Sequence, residues 1–314
     1  MIVVLRRVGQ LAIVLFLVTV FTALLFSMLP GDLAEVSIPF GSDEQREALR
    51  EDLGLNESLP VQYGRWLGDF VQGDFGSFYR QGNVTPVLDR VKATAPVSLQ
   101  LMLYAQTLAL VFAIPLGIFT AKRAGSIWDK LTNTTAFALL AVPNFVLALV
   151  LAYVVGVKLQ WLPALGYVHL SDNVVDHFRS MALPAISLAV GQIAVYMRLL
   201  RTDLVATLQQ DFILMAKSKG ITERRVLWRH ALRPSSITLL TVAGLNVGTL
   251  IGGALILEII FNFDGMGRLI FEAISERQIV AIKSLVAIIA TAYVLVNFLV
   301  DILYAILDPR IRRA

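Results

Sequence analysis

His169, Asp172, Asp176 and His177 bring four metal-ligand side chains within nine residues. A zinc ion would need them to converge, with further groups holding the imidazoles in place. Nothing nearby supplies that support, and an ordinary polar loop has the same composition, so no metal is expected. Other chemistry is sparser still. With 3 histidines and 0 cysteines, the sequence offers no thiolate ligand, thiol nucleophile or disulfide. It contains no GxxxxGK(S/T) stretch to cradle phosphates, no nucleophile-elbow serine and no HExxH helix. Enzyme activity is therefore disfavoured, no cofactor is expected in this chain, and any ATP would have to be hydrolysed on another chain. Two sets of residues stand out for mechanical reasons instead. One is the stretch DFILMAKSKG, Asp211 to Gly220. The other is Gly244, Gly248 and Gly252, which recur every fourth residue.

The elements that must position these residues are membrane spans. Of the side chains 57% are hydrophobic and 16% charged, with mean hydropathy +0.71, more apolar surface than one water-soluble core of 314 residues hides. A hydrocarbon layer about 30 Å thick asks for roughly 20 apolar helical residues. Six runs qualify: Val8 to Leu29, Pro96 to Ala121, Leu131 to Val157, Met181 to Leu200, Ile237 to Phe261 and Val280 to Leu307. The first is too long for a signal peptide and lacks a small-x-small cleavage site, so it reads as an uncleaved helix. With a cytosolic amino terminus, 16 of the 27 lysines and arginines fall on the inner side, among them Arg6, Arg7, Arg201, Lys217, Arg224 and Arg310. Both termini are therefore expected inside. Because the basic residues lie between apolar runs, membrane lipid is the expected neighbour and nucleic acid is not.

Pro115 and Pro143 fall within runs and should bend them. Glu258 lies near the outer end of its run and Arg198 near the inner end of its own, depths at which a charge costs far less than the roughly 3 kcal/mol of the bilayer centre. An ion-coupled transporter or channel, the main alternative, usually needs ionisable groups at mid-depth. Glu258 either faces a pathway or pairs locally.

Residues Gly31 to Ala95 form the longest extramembrane stretch, with 11 acidic residues against 6 basic ones. Ser42 and Gln45 form a capping box for a helix from Asp43 to Leu53 that stops at Gly54. Pro60 opens a second helix, Val61 to Gln72, closed by Gly73. Thr85 and Pro86 read as the start of a third, whose Val87, Leu88 and Val91 share a face suited to the membrane surface. The segment either shields helix ends or docks a soluble partner.

On the inner side, Arg201 to Ser236 is far longer than a connection requires. Asp211 to Lys219 forms a short helix ended by Gly220, the residue suited to a left-handed turn. Phe212, Met215, Ala216 and Lys219 fall within one face, with Ile213 and Leu214 beside them. Thr222 and Glu223 then start a second helix. Read from these residues alone, the segment packs on its own spans or lies in lipid headgroups.

Ala216, three residues, then Gly220, before the penultimate span, resembles the coupling loop of type I ABC importer permeases, and SKGITERRVLWRHALRP resembles its di- and oligopeptide permease version. The resemblance extends over nearly the whole chain: LPGD after the first span, DLGLNESLPVQYGRWLGDFVQGDFGSF, AVPNF at Ala141 to Phe145, EIIFNFDGMGRLIFEAI at Glu258 to Ile274, and VNFLVDILYAILDPRIR. Departures are Leu214 and Ser218 where arginine and alanine are expected, Pro234 for asparagine, and Phe263-Asp264 for Trp-Pro.

The resemblance implies an all-α membrane protein of six spans in the type I ABC importer permease fold, resident in a bacterial cytoplasmic (inner) membrane. Its parts would be a tail and first helix (1–30), a helical extracytoplasmic segment (31–95), a permease core (96–308) containing the coupling loop 201–236, and a cytosolic tail (309–314). It implies four kinds of partner: a second homologous permease, two ATP-binding cassette ATPase subunits that hold ATP and Mg, an extracytoplasmic peptide-binding protein, and lipid. Asp211, Phe212, Leu214, Met215, Ala216, Lys217, Lys219, Gly220 and Arg224 would meet the ATPase. The cargo would be di- or oligopeptides, with nickel and glutathione carried by related systems. Gly244, Gly248 and Gly252 make one helix face smooth enough for another backbone. Its partner is either the second permease or a helix of the same chain. Asn246, Thr249 and Glu258 are candidates to line the pathway.

Overall fold

The computed structural model describes residues 2–27, 34, 42–52, 54–80 and 83–307. In chain order its elements are α1 (Ile2–Ser27), α2 (Asp43–Asp52), α3 (Leu59–Gln72), a hairpin of β1 (Ser77–Arg80) and β2 (Asn83–Pro86), α4 (Val87–Lys122), α5 (Ile127–Leu140), α6 (Asn144–Leu151) running into a π-helical segment Ala152–Lys158, α7 (Val174–Leu208), α8 (Asp211–Ser218), α9 (Glu223–Arg225) running through a second π segment Val226–Ala231 into α10 (Leu232–Phe261), α11 (Met266–Ser275) and α12 (Ile279–Leu307). The LPGD stretch and the carboxyl-terminal tail lie outside the described residues.

Among the described residues four stretches are long and apolar enough to cross a bilayer: α4, α7, the continuous run Glu223–Phe261, and Ile279–Val300. The run expected from Leu131 to Val157 is not one helix. It is α5 and α6, bent by 97° at the break, and counting the pair as one span gives five. Pro143 explains the break, because it has no N–H to continue a helix and disfavours helical geometry in Val142. It sits at φ −59°, ψ 140°, immediately before α6. In α1 an apolar stretch of span length is not reached within Ala12–Leu25.

Two expected boundaries are corrected. Thr85 and Pro86 do not start a surface helix; they end β2, with Phe78 opposite Thr85 and Ser77 opposite Pro86. The helix begins at Val87, which is fully buried, and continues through Pro96 to Lys122. The second helix expected in the 201–236 loop is likewise no separate element, because Glu223 runs unbroken into the span ending at Phe261.

The chain divides into two compact units, Met1–Val97 with Asp264–Leu295, and Ser98–Phe263 with Val296–Ala314. In the first, the capping box forms as read: Ser42 N–H donates to Gln45 Oε1 (3.0 Å) and Gln45 N–H to Ser42 Oγ (3.3 Å). Gly54 (φ +64°) and Gly73 (φ +92°) end α2 and α3 in left-handed turns. Trp66, buried in α3, donates its indole N–H to Ser284 Oγ of α12 at 2.8 Å. Gln278 mimics a third strand, accepting from Tyr79 N–H (3.0 Å) and donating back to Tyr79 O. Arg90 and Arg268 both reach Glu272, at 2.8 and 3.1 Å.

In the second unit α7 is the hub, packing on α5, α6 and α10. Tyr196, Met197, Leu200 and Leu204 form its buried stripe at helical spacing, meeting Ala109 and Ala113 of α4 and Leu239 and Ala243 of α10. Tyr196 carries its hydroxyl into this core and donates to Gln106 Oε1 at 3.2 Å, as a buried phenol must find a partner.

Candidate functional site

On the loop that follows α7, Asp211 opens α8 where a carboxylate favours the helix dipole. Gly220 closes it at φ +74°, with Gly220 N–H donating to Lys217 O (2.9 Å) and Ile221 N–H to Ala216 O (3.3 Å). No atom lies within 4 Å of where a Cβ on Gly220 would sit, so the backbone angle alone calls for glycine there. The face read from sequence splits in two. Ala216 is buried together with Ile213, which is 0% exposed, against Leu204, Val226, Leu227 and Ala231 of the same chain. Phe212 (46%), Leu214 (54%) and Met215 (58%) point out, with Asp211, Lys217, Lys219, Gly220 and Arg224 exposed around them. The helix is thus anchored on its bundle by one edge and offers an apolar, basic-rimmed surface on the other. Trp228, 54% exposed, adds to the apolar surface of the loop.

Behind the loop, Arg201 in the penultimate turns of α7 grips Asp129 at the start of α5 through two parallel hydrogen bonds of 2.5 and 2.6 Å. Asp129 also accepts from Gly125 N–H and Asn133 Nδ2, both at 2.8 Å. Ser235 Oγ donates to Thr207 Oγ1 at 2.9 Å, tying the far side of the loop to α7 as well. The residues flanking the loop are thus tied to α5 and to the start of α10.

The glycine stripe also splits. A Cβ on Gly244 would lie 2.4 Å from Val300 Cγ1 of α12, so this glycine serves packing within the chain. Gly252 is exposed, with no atom within 4 Å of a Cβ. Gly248 is buried, and Gly253, absent from the sequence reading, is where Leu188 of α7 closes in, 2.8 Å from a Cβ.

Asn246 and Thr249 meet a residue that the sequence reading passed over. Asn246 Nδ2 donates to Gln192 Oε1 at 2.9 Å, and Gln192 Nε2 donates to Thr249 Oγ1 at 3.3 Å. Asn144, first residue of α6, has its amide 3.5 Å from where a Cβ on Gly191 would lie and 3.9 Å from one on Gly253. Three helices therefore bring amides and a hydroxyl together near the middle of α7 and α10. Such groups in mid-span face protein or water rather than lipid, and as neutral donors and acceptors they can hydrogen-bond a polar group. Glu258 is fully buried in the last turn of α10, where its backbone carbonyl accepts from Phe263 N–H at 2.8 Å. A separate cleft of about 610 Å³ between α4 and α7, lined by Leu108, Phe112, Met181 and Ile186, is apolar and has no partner for a peptide's main chain.

His177, in the first turns of α7, is engaged within the chain. His177 is fully buried, its Nδ1 2.7 Å from Val168 O and its Nε2 3.0 Å from Tyr104 Oη, while Asp176 pairs with Arg179 at 3.7 Å. Tyr167 packs on His177, and burial pushes its hydroxyl above the ordinary phenol range.

Two family models match this chain. Residues 113–313 fit the binding-protein-dependent transport system inner membrane component, and residues 1–85 fit the N-terminal part of such components. The chain belongs to this family. An oligopeptide transport system permease protein, AppB, of Bacillus subtilis is 38% identical over 98% of both chains. A probable peptide ABC transporter permease, y4tP, of Sinorhizobium fredii is 34% identical over the same shares. A chain of the MetNI methionine ABC transporter, solved in inward-facing conformations, has the same fold, with TM-score 0.57 at 13% identity, covering 70% of this chain and 96% of that one.

As a binding-protein-dependent inner membrane component, the protein is a multi-pass transport subunit of an ABC importer and not itself the ATP-hydrolysing enzyme. The main family segment contains α8, the Arg201–Asp129 tie, the amide cluster and Glu258; the hairpin-bearing cap lies in the N-terminal one. What sequence reasoning missed was spread across the chain. Gln192 and Asn144 gain meaning from the helices that meet there, and Ile213 from what lies beneath it. Asn144 alone carried a local signal, since it follows the helix-breaking Pro143.

Proposed function

We propose that this subunit forms half of the route by which short peptides cross the cytoplasmic membrane, paired with a second homologous permease, driven by two ATPase subunits and fed by an extracytoplasmic peptide-binding protein. Six spans with both termini cytosolic put segment 31–95 outside and the 201–236 loop inside. Phe212, Leu214 and Met215 fill a groove on an ATPase subunit. Closure of the ATPases moves α8, and α7 transmits the motion to the amide cluster of Gln192, Asn246 and Thr249 beside the pathway. Full-length similarity to peptide permeases supports the cargo. The single observation that carries the mechanism is the half-anchored α8, apolar where it faces out and rooted where it faces in.

The test is co-expression with the ATPase subunits. Met215→Glu should leave the chain inserted while ATPase subunits no longer co-purify and uptake of a labelled dipeptide stops. Full retention of both would defeat the proposal. Gly220→Val should act in the same direction through the turn.

A further inference from the structure

We infer that a cavity within the unit of Met1–Val97 and Asp264–Leu295 binds a small zwitterion of the short-peptide class, with Lys283 holding its carboxylate. This rests on the peptide-importer reading above, which puts the cap outside the membrane where peptide arrives. The cavity, of about 200 Å³, lies among α3, the β1 strand with the turn before it, and the first turns of α12. Arg65, Trp66, Asp69, Asp74 and Lys283 give it its character.

Lys283 decides the chemistry. Lys283 is 4% exposed and lines the cavity, and an ammonium that meets so little water is costly to keep without a counter-charge. Among the described residues no carboxylate lies within ion-pair distance of it. Its neighbour is the face of Trp66, 5.6 Å from the ring centroid, which attracts a cation but offers no acceptor oxygen. The wall's other cation, Arg65, is already committed to Glu57. The wall's anions are differently placed. Asp69 enters no ion pair among the described residues, and Asp74 spends one oxygen on Gly76 N–H at 2.8 Å.

One cation in want of an anion, and two carboxylates able to receive a cation, thus share one small space. Asp69 and Asp74 are exposed to solvent and keep their charge, so a lone anion would be crowded against them. A metal ion would leave Lys283 unmatched. A molecule that carries a carboxylate and an ammonium answers both, and a cavity of this size admits one or two small residues. Trp66 supplies an apolar wall for their side chains, its ring fixed by the bond to Ser284.

Trp66 also provides the readout. The chain has 4 tryptophans, so replacing Trp128, Trp161 and Trp228 by Phe leaves Trp66 as sole reporter in the full chain held in lipid nanodiscs. Dialanine should shift its emission saturably. Dialaninamide, which lacks the carboxylate, and N-acetyl-dialanine, which lacks the ammonium, should bind roughly tenfold to a hundredfold more weakly. Lys283→Met should abolish the saturable response, and Lys283→Arg should keep the preference for the free carboxylate. Equal responses to dialanine and dialaninamide, or no saturable response, overturn the assignment. If Lys283→Met does not insert, the comparison of ligands on the Lys283 chain still decides. Dialanine uptake by the assembled importer is measured in parallel. Uptake without a Trp66 response removes the cavity site alone, whereas absence of uptake removes the peptide-importer reading beneath it.

Discussion

Replacing Arg201 by methionine should cost the folded chain about 2–4 kcal/mol. Asp129 is only 4% exposed by side chain, and Arg201 25%, so the substitution leaves a carboxylate below the surface. It would keep the Gly125 N–H and the Asn133 amide but lose two charge-assisted bonds at once. Breaking a fully buried pair costs about 3–5 kcal/mol; the quarter exposure of Arg201 lets water reach the site and lowers the figure. Asp129→Asn should cost less, about 1 kcal/mol, because the guanidinium that remains can turn toward solvent. The double variant should fall short of the sum by about 1.5–2 kcal/mol, since no lone charge is left behind. Reversible unfolding in mixed detergent micelles, followed by tryptophan emission, measures all four corners of this cycle. An Arg201→Met loss below about 0.5 kcal/mol, or simple additivity, would refute the claim that this pair roots the loop.

Three further outcomes test other parts of the structure. Gly244→Leu should destabilise the chain by about 1–3 kcal/mol through collision with Val300, while Gly252→Leu should leave its stability unchanged; thermal melts in detergent separate the two. Ile213→Ser should lower the melting temperature and Leu214→Ser should not, because the first is buried and the second exposed; equal effects would mean that α8 does not lie on its bundle by one edge. Gln192→Leu together with Asn246→Leu should reduce dipeptide uptake without disturbing co-purification of ATPase subunits, and unchanged uptake would remove the amide cluster from the pathway.

Much of the architecture could be read from residue order because local chemistry and tertiary packing agree there. Ser42 with Gln45, and Gly54, Gly73 and Gly220, mark ends that the helices do adopt, since each satisfies or releases backbone groups whatever surrounds it. The hairpin was misread because Thr-Pro is an equally good helix start, and the pairing of Tyr79 with Gln278, some 200 residues away, is not a local signal. Leu131 to Val157 was read as one span because hydropathy does not register a 97° turn. At the candidate site the limits were of the same kind. Periodicity placed Phe212, Met215 and Ala216 on one face, but which edge is covered depends on Val226 and Leu227, brought beneath the helix by the turn at Gly220.

The π segment at Val226–Ala231 holds one residue more per turn than the α-helix it interrupts. Each residue in an α-helix advances the facing direction by about 100°, so that wider winding sets the azimuth at which the residues before it emerge relative to the glycines and amides of α10. Rewinding the segment's 6 residues as α-helix without removing any would swing α9, with the loop it leads, by roughly 100° around the axis, whereas deleting one of them would leave that azimuth nearly unchanged. The wide turn thus fixes the angle between the two ends of one continuous shaft, and anything that tightened or loosened it would turn that shaft without bending it.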